Sequence, residues 1–312
     1  MDDGLRRDDW NQSPGRLNDP CAVRSLRIDD VVATYVVDGV LSVRPVELLP
    51  KVPAGHWSTA GLLDAHARMV MSVGGLLIER DGRALLIDAG AGPTSGRSVV
   101  GPVTSGAMLD VLGSLGRRPE DIETLAFTHL HFDHTGWAFT PGADGRYAPT
   151  FPSARYVLSA PEWAPYERGE DAAGVATSPD LIAPLAACRT EFQDGDEIFP
   201  GVRAVVTPGH SAGHTSYVIT SASGARLAAF GDAFHIPAQL GNPDWPSASD
   251  IDARSVRQAR RRLLDELTQP DTVGFGCHFG DQPFGRLGTS QGGLVWEPVP
   301  TTVRAPAPRT FG

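Results

Sequence analysis

A run of six residues that begins at His129, His-Leu-His-Phe-Asp-His, constrains this chain more than any other feature of its sequence. The apolar residues 125–128 precede the run and predict a short β-strand that leads directly into it. In an extended segment residues i and i+2 point the same way, so His129 and His131 can hold one metal ion together. Once the chain turns, Asp133 and His134 can face a second position beside the first.

These side chains can be interpreted in two ways. A polar turn whose histidines only hydrogen-bond is the simpler alternative, but three histidines and an aspartate at this spacing argue against it. Imidazole and carboxylate suit Zn²⁺, whose catalytic sites use nitrogen and oxygen ligands and keep one position for water. The same ligands also accept Mn, Fe or Co at one or both positions.

Four side chains cannot complete two coordination spheres, so further ligands must come from other parts of the chain. Each of three later segments follows a predicted strand and offers one: His210 in a glycine-flanked loop, Asp232 in a Gly-Asp pair, and His278. Asp232 could bridge both ions. Neighbours on a strand point to opposite faces, so only one of Cys277 and His278 can reach the site. We favour His278, which leaves Cys277 as a small core residue.

Two further polar residues are expected to support the site without binding metal. His214 is one of them, with a place in the core as the alternative. Asp88 ends a predicted strand and fits a carboxylate that orients a ligand histidine. A turn residue before Gly90 is the other interpretation of Asp88.

The order of elements indicates a mixed α/β domain. Two turn pairs, Asp81-Gly82 and Asp38-Gly39, predict hairpins. Helices are expected at residues 108–115 and 250–267. Ser249 or Asp250 can cap the second, and its arginines are expected on a solvated outer face. Strands are expected at residues 31–37, 74–80, 84–88, 125–128, 154–158, 202–207, 216–220, 227–230 and 272–276.

Composition bounds the domain organisation and the partners. Residues 1–28 are polar and predict a flexible N-terminal arm, residues 29–296 a single globular domain, and residues 297–312 a Pro-rich tail. A formal charge of -10 argues against nucleic-acid partners. No apolar run reaches the ~18 residues of a membrane helix. The three cysteines and the polar start favour a cytoplasmic location by default.

The ordered set His-x-His-x-Asp-His, Pro-Gly-His, Gly-Asp and a late strand-end His resembles that of the metallo-β-lactamase-fold superfamily. The resemblance implies an αββα sandwich of two mixed β-sheets flanked by helices, with two metal ions, normally Zn²⁺, at one edge. It implies that Asp232 bridges the two metals. The remaining ligands that it implies are His129, His131 and His210 for the first metal, and Asp133, His134 and His278 for the second.

Two such metals can share a hydroxide and lower its pKa towards neutrality, which supplies a nucleophile. We therefore expect a dinuclear metal-dependent hydrolase whose bridging hydroxide attacks a lactone or ester of a small apolar molecule. Asp133 is the natural proton shuttle. Nearby aromatic residues favour an apolar substrate. They are Phe132, Trp137, Phe234, Trp245 and Phe279.

Residues 231–240 are similar to the methyl-parathion-hydrolase and quorum-quenching lactonase branch. The acyl-homoserine lactonases of that branch carry a tyrosine that contacts a substrate oxygen where this chain has His235. A polar substrate contact is the hypothesis for His235, and a structural role is the alternative.

Other functions remain open on the same site: phosphotriesterase, thioesterase or natural-product tailoring hydrolase. A di-iron redox protein is disfavoured, because that branch carries a glutamate where this chain has His131 and is joined to a flavin domain. The small-molecule substrate is the expected partner. A homodimer is a further alternative, in which the N-terminal arm clasps the second subunit.

Overall fold

Two facing β-sheets form the centre of the protein. The computed structural model describes residues 14–59, 61–98, 101–142, 145–170 and 179–305. The strands in chain order are β1 (Val23–Ile28), β2 (Val31–Val43), β3 (Met69–Arg80), β4 (Arg83–Ile87), β5 (Ser95–Ser98), β6 (Gly101–Ser105), β7 (Thr124–Ala126), β8 (Phe139–Pro141), β9 (Tyr147–Pro149), β10 (Arg155–Ser159), β11 (Arg189–Phe192), β12 (Glu197–Phe199), β13 (Val202–Val206), β14 (Thr215–Thr220), β15 (Arg226–Ala229), β16 (Thr272–Phe275), β17 (Phe284–Ser290), β18 (Gly293–Pro298) and β19 (Thr302–Ala305).

Helices cover the outer faces of the sheets or connect strands. Short 3₁₀ turns lie at Pro119–Asp121 and Gly231–Ala233. Within the described ranges, no helix is both long and apolar enough to cross a membrane. The helices in chain order are α1 (Pro45–Leu48), α2 (Ala54–Thr59), α3 (Met108–Ser114), α4 (Phe132–Thr135), α5 (Ala160–Glu167), α6 (Pro179–Cys188), α7 (Ala238–Gly241) and α8 (Ala253–Leu267).

The strand order brings several strand ends to one edge of the sandwich. The first sheet runs β11-β10-β7-β4-β3-β2-β1-β19, with β6 paired to β2 and β5 paired to β6, and the second runs β12 to β18 in sequence. In the first sheet β4, β7 and β10 are parallel, and in the second β15 and β16 are parallel. Parallel strands end at the same edge, so the loops that follow them are neighbours.

The apolar residues divide into layers as strand periodicity requires. Tyr35 of β2 and Tyr217 of β14 lie in one buried cluster between the sheets. Their sequence neighbours face outward: Val36 packs in a cluster with Leu112 of α3 and Trp163 of α5. On the far side, Phe230 packs with Leu263 and Leu267 of α8. The resulting layer order is helix, sheet, sheet, helix, which confirms the predicted αββα sandwich.

One predicted hairpin is present and the other is not. Asp81-Gly82 joins β3 to β4, and both residues have positive φ, 52° and 78°. At Asp38-Gly39 the strand β2 continues through a bulge instead of turning. The reason is that the Asp38 carboxylate has buried partners, among them the Ala91 amide at 2.8 Å and the Trp137 indole N–H at 2.7 Å.

Helix α8 also differs from its prediction. It begins at Ala253 and is capped by Asp252, whose carboxylate accepts the Arg254 amide at 3.0 Å; neither Ser249 nor Asp250 is the cap. The expected solvated arginine face holds for Arg254, Arg257, Arg261 and Arg262 but is wrong for Arg260, which is fully buried. Arg260 follows Val256 by four residues and therefore lies on the buried face of the helix.

The predicted arm and tail are wrong for the part of them that the structure describes. Residues 23–28 form β1, which pairs with β2 on one side and with β19 of the expected tail on the other. Their signal was weak because polar residues alternate here, yet Arg24 is buried against Asp281, with Nη2 2.6 Å from Oδ2. Residues 1–13 of the predicted arm and residues 306–312 of the predicted tail lie outside the described ranges.

The Arg24–Asp281 pair predicts a large stability effect. Replacing Arg24 with Met leaves the buried Asp281 carboxylate without its charged partner, which typically costs about 3–5 kcal/mol. We expect the free energy of unfolding, measured by urea titration, to fall by about that amount. Arg44→Met is the matched control: Arg44 pairs with Glu47, but both side chains are more than half exposed, and such pairs contribute about 0–1 kcal/mol. Equal losses in the two variants would contradict this account.

Candidate metal centre

The predicted ligands come from loops that begin where strands end. The loop after β7 is extended as far as His131, the residue before α4, so His129 and His131 project in the same direction. Asp133 and His134 lie in α4, where the chain has turned. The loop after β13 carries His210. Gly209 in that loop has φ +127°, and a Cβ there would lie 2.1 Å from the Val256 amide nitrogen. Only glycine permits this close approach to α8.

One cluster contains the predicted first-metal ligands. The ligand atoms of His129, His131, His210 and Asp232 all lie within 4.8 Å of one another, and all four residues are buried. His210 Nε2 is 3.1 Å from His131 Nδ1 and 3.3 Å from Asp232 Oδ2. His129 Nε2 is 3.9 Å from the same carboxylate oxygen. We call this group the first cluster.

A second cluster lies beside it. The ligand atoms of Asp133, His134 and His278 are also mutually within 4.8 Å and buried. His134 Nε2 and His278 Nε2 lie 3.2 Å and 3.0 Å from Asp232 Oδ1, and each is 3.8 Å from Asp133 Oδ2. We call Asp133, His134 and His278 the second cluster.

Asp232 joins the two clusters. Its Oδ2 faces the first cluster and its Oδ1 faces the second, which is the arrangement required of a bridging carboxylate. His214 fixes this residue, since its Nε2 accepts the Asp232 amide at 3.0 Å. Gly231 has φ +51°, and a Cβ there would lie 2.7 Å from His214 Nε2, so the turn needs glycine. His214 thus supports the site through the backbone, as predicted.

The second ring nitrogens of the ligand histidines have acceptors. His278 Nδ1 lies 2.9 Å from the Ser72 carbonyl oxygen, which can only accept, so Nδ1 carries the proton. His134 Nδ1 lies 2.8 Å from Asp88, which confirms that Asp88 orients a ligand histidine. The other nitrogen, Nε2, of both His278 and His134 therefore faces the site.

The donor set fits metal ions. The Nε2 atoms of His129, His134 and His278 are buried, and none makes a well-aligned hydrogen bond among the described residues, although the last two lie 3.2 Å and 3.0 Å from Asp232 Oδ1. An unsatisfied buried nitrogen costs about 1–3 kcal/mol, and a bound cation would remove that cost. Three such atoms around one buried carboxylate indicate a site built for two metal ions.

Burial and neighbouring charges set the ionisation of the site. Burial alone would raise the pKa of Asp232, but the adjacent His278 and His134 outweigh it and hold that pKa well below its usual value. Burial, aided by His134, holds the pKa of His129 well below the usual value. Asp232 is thus charged and His129 neutral, which are the forms that bind metal. At His134 burial alone would lower the pKa, but the adjacent Asp232 and Asp88 outweigh it and raise that pKa well above its usual value, so a metal ion would have to displace the proton.

Cys277 lies closer to the site than predicted. It follows β16 in a turn, so it and His278 need not point to opposite faces as they would on a strand. Its Sγ lies 3.8 Å from Asp232 Oδ1, and Cys277, Asp232 and His278 form another group of ligand atoms within 4.8 Å. Cys277 is buried in the core, as predicted, and also contacts the bridging carboxylate.

Sequence reasoning missed two carboxylates that hold the ligand loops. Glu162 of α5 accepts the Leu130 amide at 3.0 Å and the Gly213 amide at 2.8 Å, which ties the loop after β7 to the loop after β13. Asp250 Oδ1 lies 3.0 Å from His210 Nδ1. Neither residue stands in a motif, and the position of Asp250 before a helix suggested a cap.

A cavity of about 30 Å³ opens onto the clusters. His235 lines it, with Nε2 3.3 Å from Asp232 Oδ2 and a buried Nδ1 that has no hydrogen-bond partner among the described residues. Of the aromatic residues singled out in the sequence, Phe132 alone lines this cavity. The other lining residues are Leu41, Val43, Leu48, Met71, His131, Asp133, Asp232, Ser249 and His278.

Known proteins share this sequence pattern and this fold. The profile of the metallo-beta-lactamase superfamily matches residues 75–278, which include every predicted metal ligand. An N-acyl homoserine lactonase from Bacillus sp is 26% identical over 260 residues, covering 77% of this chain and 96% of its own length. An N-acyl homoserine lactonase from Bacillus cereus is 30% identical over 122 residues, 38% of this chain and 42% of its own length.

Solved structures agree on the fold. AidC, a dizinc quorum-quenching lactonase solved with a product, superposes with TM-score 0.74 at 18% identity, covering 90% of this chain and 99% of its own. The hydrolase AbOPH superposes with TM-score 0.73 at 22% identity, covering 89% and 98%. The chain therefore belongs to the metallo-beta-lactamase superfamily, which confirms the resemblance seen in its sequence and the prediction of a metal-dependent hydrolase.

Proposed function

We propose that this chain is a dinuclear hydrolase that opens a lactone or ester of a small, mostly apolar molecule. The observation that carries the proposal is the Asp232 carboxylate, with one oxygen facing each cluster. Relatives named as N-acyl homoserine lactonases support a lactone as the first substrate class to test.

We assign His129, His131 and His210 to the first metal, the second cluster to the second metal, and Asp232 to both. Zn²⁺ is the proposed ion, because the set consists of imidazole and carboxylate; Mn, Fe or Co are alternatives. When bound, two such ions supply a water of lowered pKa and an electrophile for the substrate's carbonyl oxygen.

Asp133 is the proposed proton carrier. It is buried, lines the cavity, and presents Oδ2 between the second-cluster imidazoles, 3.8 Å from each Nε2. From there Oδ2 can take the proton of the attacking water and return it to the leaving oxygen, as general acid–base catalysis requires.

The cavity walls support the proposed substrate class. Leu41, Val43, Leu48 and Met71 give the cavity aliphatic walls, and the metal ligands give it polar ones. Apolar walls beside a few polar groups are the lining typical of small-molecule sites, and at about 30 Å³ this cavity must widen to admit more than a water-sized molecule. His235 also lines the cavity, and we propose that its ring makes a polar contact with the substrate. A homodimer and a cytoplasmic location stay predictions.

Metal content tests the proposal directly. Elemental analysis of the purified protein should give close to two metal ions per chain. Asp232→Ala should lose most of both ions, because it removes the shared ligand. Asp265→Asn, at an exposed carboxylate on α8, should keep both. Little metal in the unaltered chain, with no activity after adding Zn²⁺ or Mn²⁺, would overturn the proposal.

A substrate panel tests the reaction class. We expect lactones and aryl esters to be hydrolysed faster than thioesters and phosphotriesters, measured as kcat/KM on metal-loaded protein. Asp133→Asn should lower kcat on every active substrate, since it removes the proton carrier. A phosphotriester as the best substrate would reassign the reaction while leaving the metal site intact.

His235 has a separate prediction. His235→Ala should lower kcat/KM on the best substrate by about 10-fold or more, because a polar contact in a buried site contributes about 1–3 kcal/mol. Metal content should stay unchanged. His235→Gln retains a polar side chain and should recover part of the loss. Unchanged kinetics in both variants would remove His235 from the substrate site.

The metal-free chain should show a pH dependence that involves His214. Burial, with His210 adjacent, lowers the pKa of His214 from 6.5 to about 3. The unfolded chain then binds more protons between these pH values, so the free energy of unfolding falls as pH falls through that window. In EDTA, His214→Gln should make this slope shallower by about one proton. Urea unfolding at several pH values measures the slope, and a slope equal to that of the unaltered chain would contradict the assignment.

A further inference from the structure

Arg260 is a buried cation that the proposed reaction does not use. It lies on α8 and its side chain is fully buried, whereas the next arginine, Arg261, is 64% exposed. A buried guanidinium is costly unless acceptors surround it. Its acceptors therefore indicate what this residue does.

The guanidinium holds the segment that follows Asp232. Arg260 Nε donates to the Ala233 carbonyl at 2.6 Å, and Nη1 donates to the Trp245 carbonyl at 2.6 Å and the Pro243 carbonyl at 3.2 Å. Ala233 is the neighbour of the bridging aspartate. One rigid guanidinium thus joins the two ends of a thirteen-residue segment, whose His235 lines the cavity.

The same side chain reaches the first cluster through Asp250. Arg260 Nη2 lies 3.4 Å from Asp250 Oδ2, which also accepts the Ser247 amide at 2.7 Å. The other oxygen, Oδ1, lies 3.0 Å from His210 Nδ1. Arg260 is therefore linked to His210 of the first cluster through one intervening side chain, that of Asp250.

A further branch of these contacts leads to His235. Gln239 Nε2 donates to the Trp245 carbonyl at 2.8 Å, the same oxygen that Arg260 binds. Gln239 Oε1 accepts the His235 amide at 2.7 Å. The orientations of His210 and His235 thus both depend on acceptors that Arg260 holds in place.

The second cluster has different supports. His134 bonds to Asp88, and His278 bonds to the Ser72 carbonyl. Among the described residues, the hydrogen bonds of Arg260 go to Ala233, Pro243, Trp245 and Asp250, and none goes to these supports.

We propose that Arg260 is a positioning residue for the first metal: it fixes Asp250 and the segment from Ala233 to Trp245, and through them His210 and His235. The inference rests on the proposed function, because it assumes that the clusters bind metal. Its distinguishing consequence is an asymmetry, since losing Arg260 weakens the first metal site and spares the second.

The test measures each metal site separately. His278→Ala disables the second cluster and His131→Ala disables the first, so each background leaves one site to titrate with Zn²⁺ against a competing chelator. Arg260→Met should raise the first-site Kd about 10–100-fold, the usual effect of removing a partner behind a ligand. It should change the second-site Kd less than about twofold. Arg261→Met, on the same helix, should change neither.

Two further variants protect the test against misfolding. Arg260→Lys keeps the charge but lacks the fork, and Asp250→Asn keeps the shape but loses the charge beside His210; both should weaken the first site alone. Circular dichroism melting shows whether each variant is folded. Equal weakening of both sites, or no change in either, would overturn the positioning role. If the unaltered chain bound no Zn²⁺ in the same titration, the proposed function would fail as well, so the two failures are distinguishable.

Discussion

The Asp232 carboxylate, buried between two groups of imidazoles, is the interaction on which the rest of the structure depends. A lone carboxylate in such a place would be unstable, and its charge is maintained by the histidines around it. To bind metal, those histidines must each aim a nitrogen inward, which requires acceptors behind them. The buried carboxylates Asp88 and Asp250 are two such acceptors, and the glycine-dependent turns let the ligand loops reach them.

Polar supports for the site come from the outer layers of the sandwich as well as from its sheets. Glu162 reaches inward from α5, and Arg260 reaches inward from α8. Helices that pack by apolar contact therefore also position the chemistry. This explains why the ligand loops can be irregular and still well ordered: their backbone groups find fixed partners within the protein.

Much of the fold and the residues that form the two clusters could be predicted, because their signals are local. A strand followed by His-x-His-x-Asp-His, a glycine before Asp232, and the Asp81-Gly82 pair each act on neighbouring residues. The rest depends on partners far apart in the chain. The sequence around Arg260 predicts a solvated side chain, because its neighbours are arginines. The Asp38-Gly39 pair predicts a turn, because the local sequence does not reveal the Ala91 amide, 53 residues away, that binds Asp38.

The turn that carries His278 also bears Asp281, which is held by Arg24 across 257 positions of sequence. During synthesis, the chain through His134 emerges long before either of these late residues. The half-built site then contains histidines and a carboxylate without the elements that close it. Contacts between residues this far apart in sequence form only after the long loop between them has closed, which costs conformational entropy. The two clusters can therefore be completed only after residues 278–281 have been synthesised.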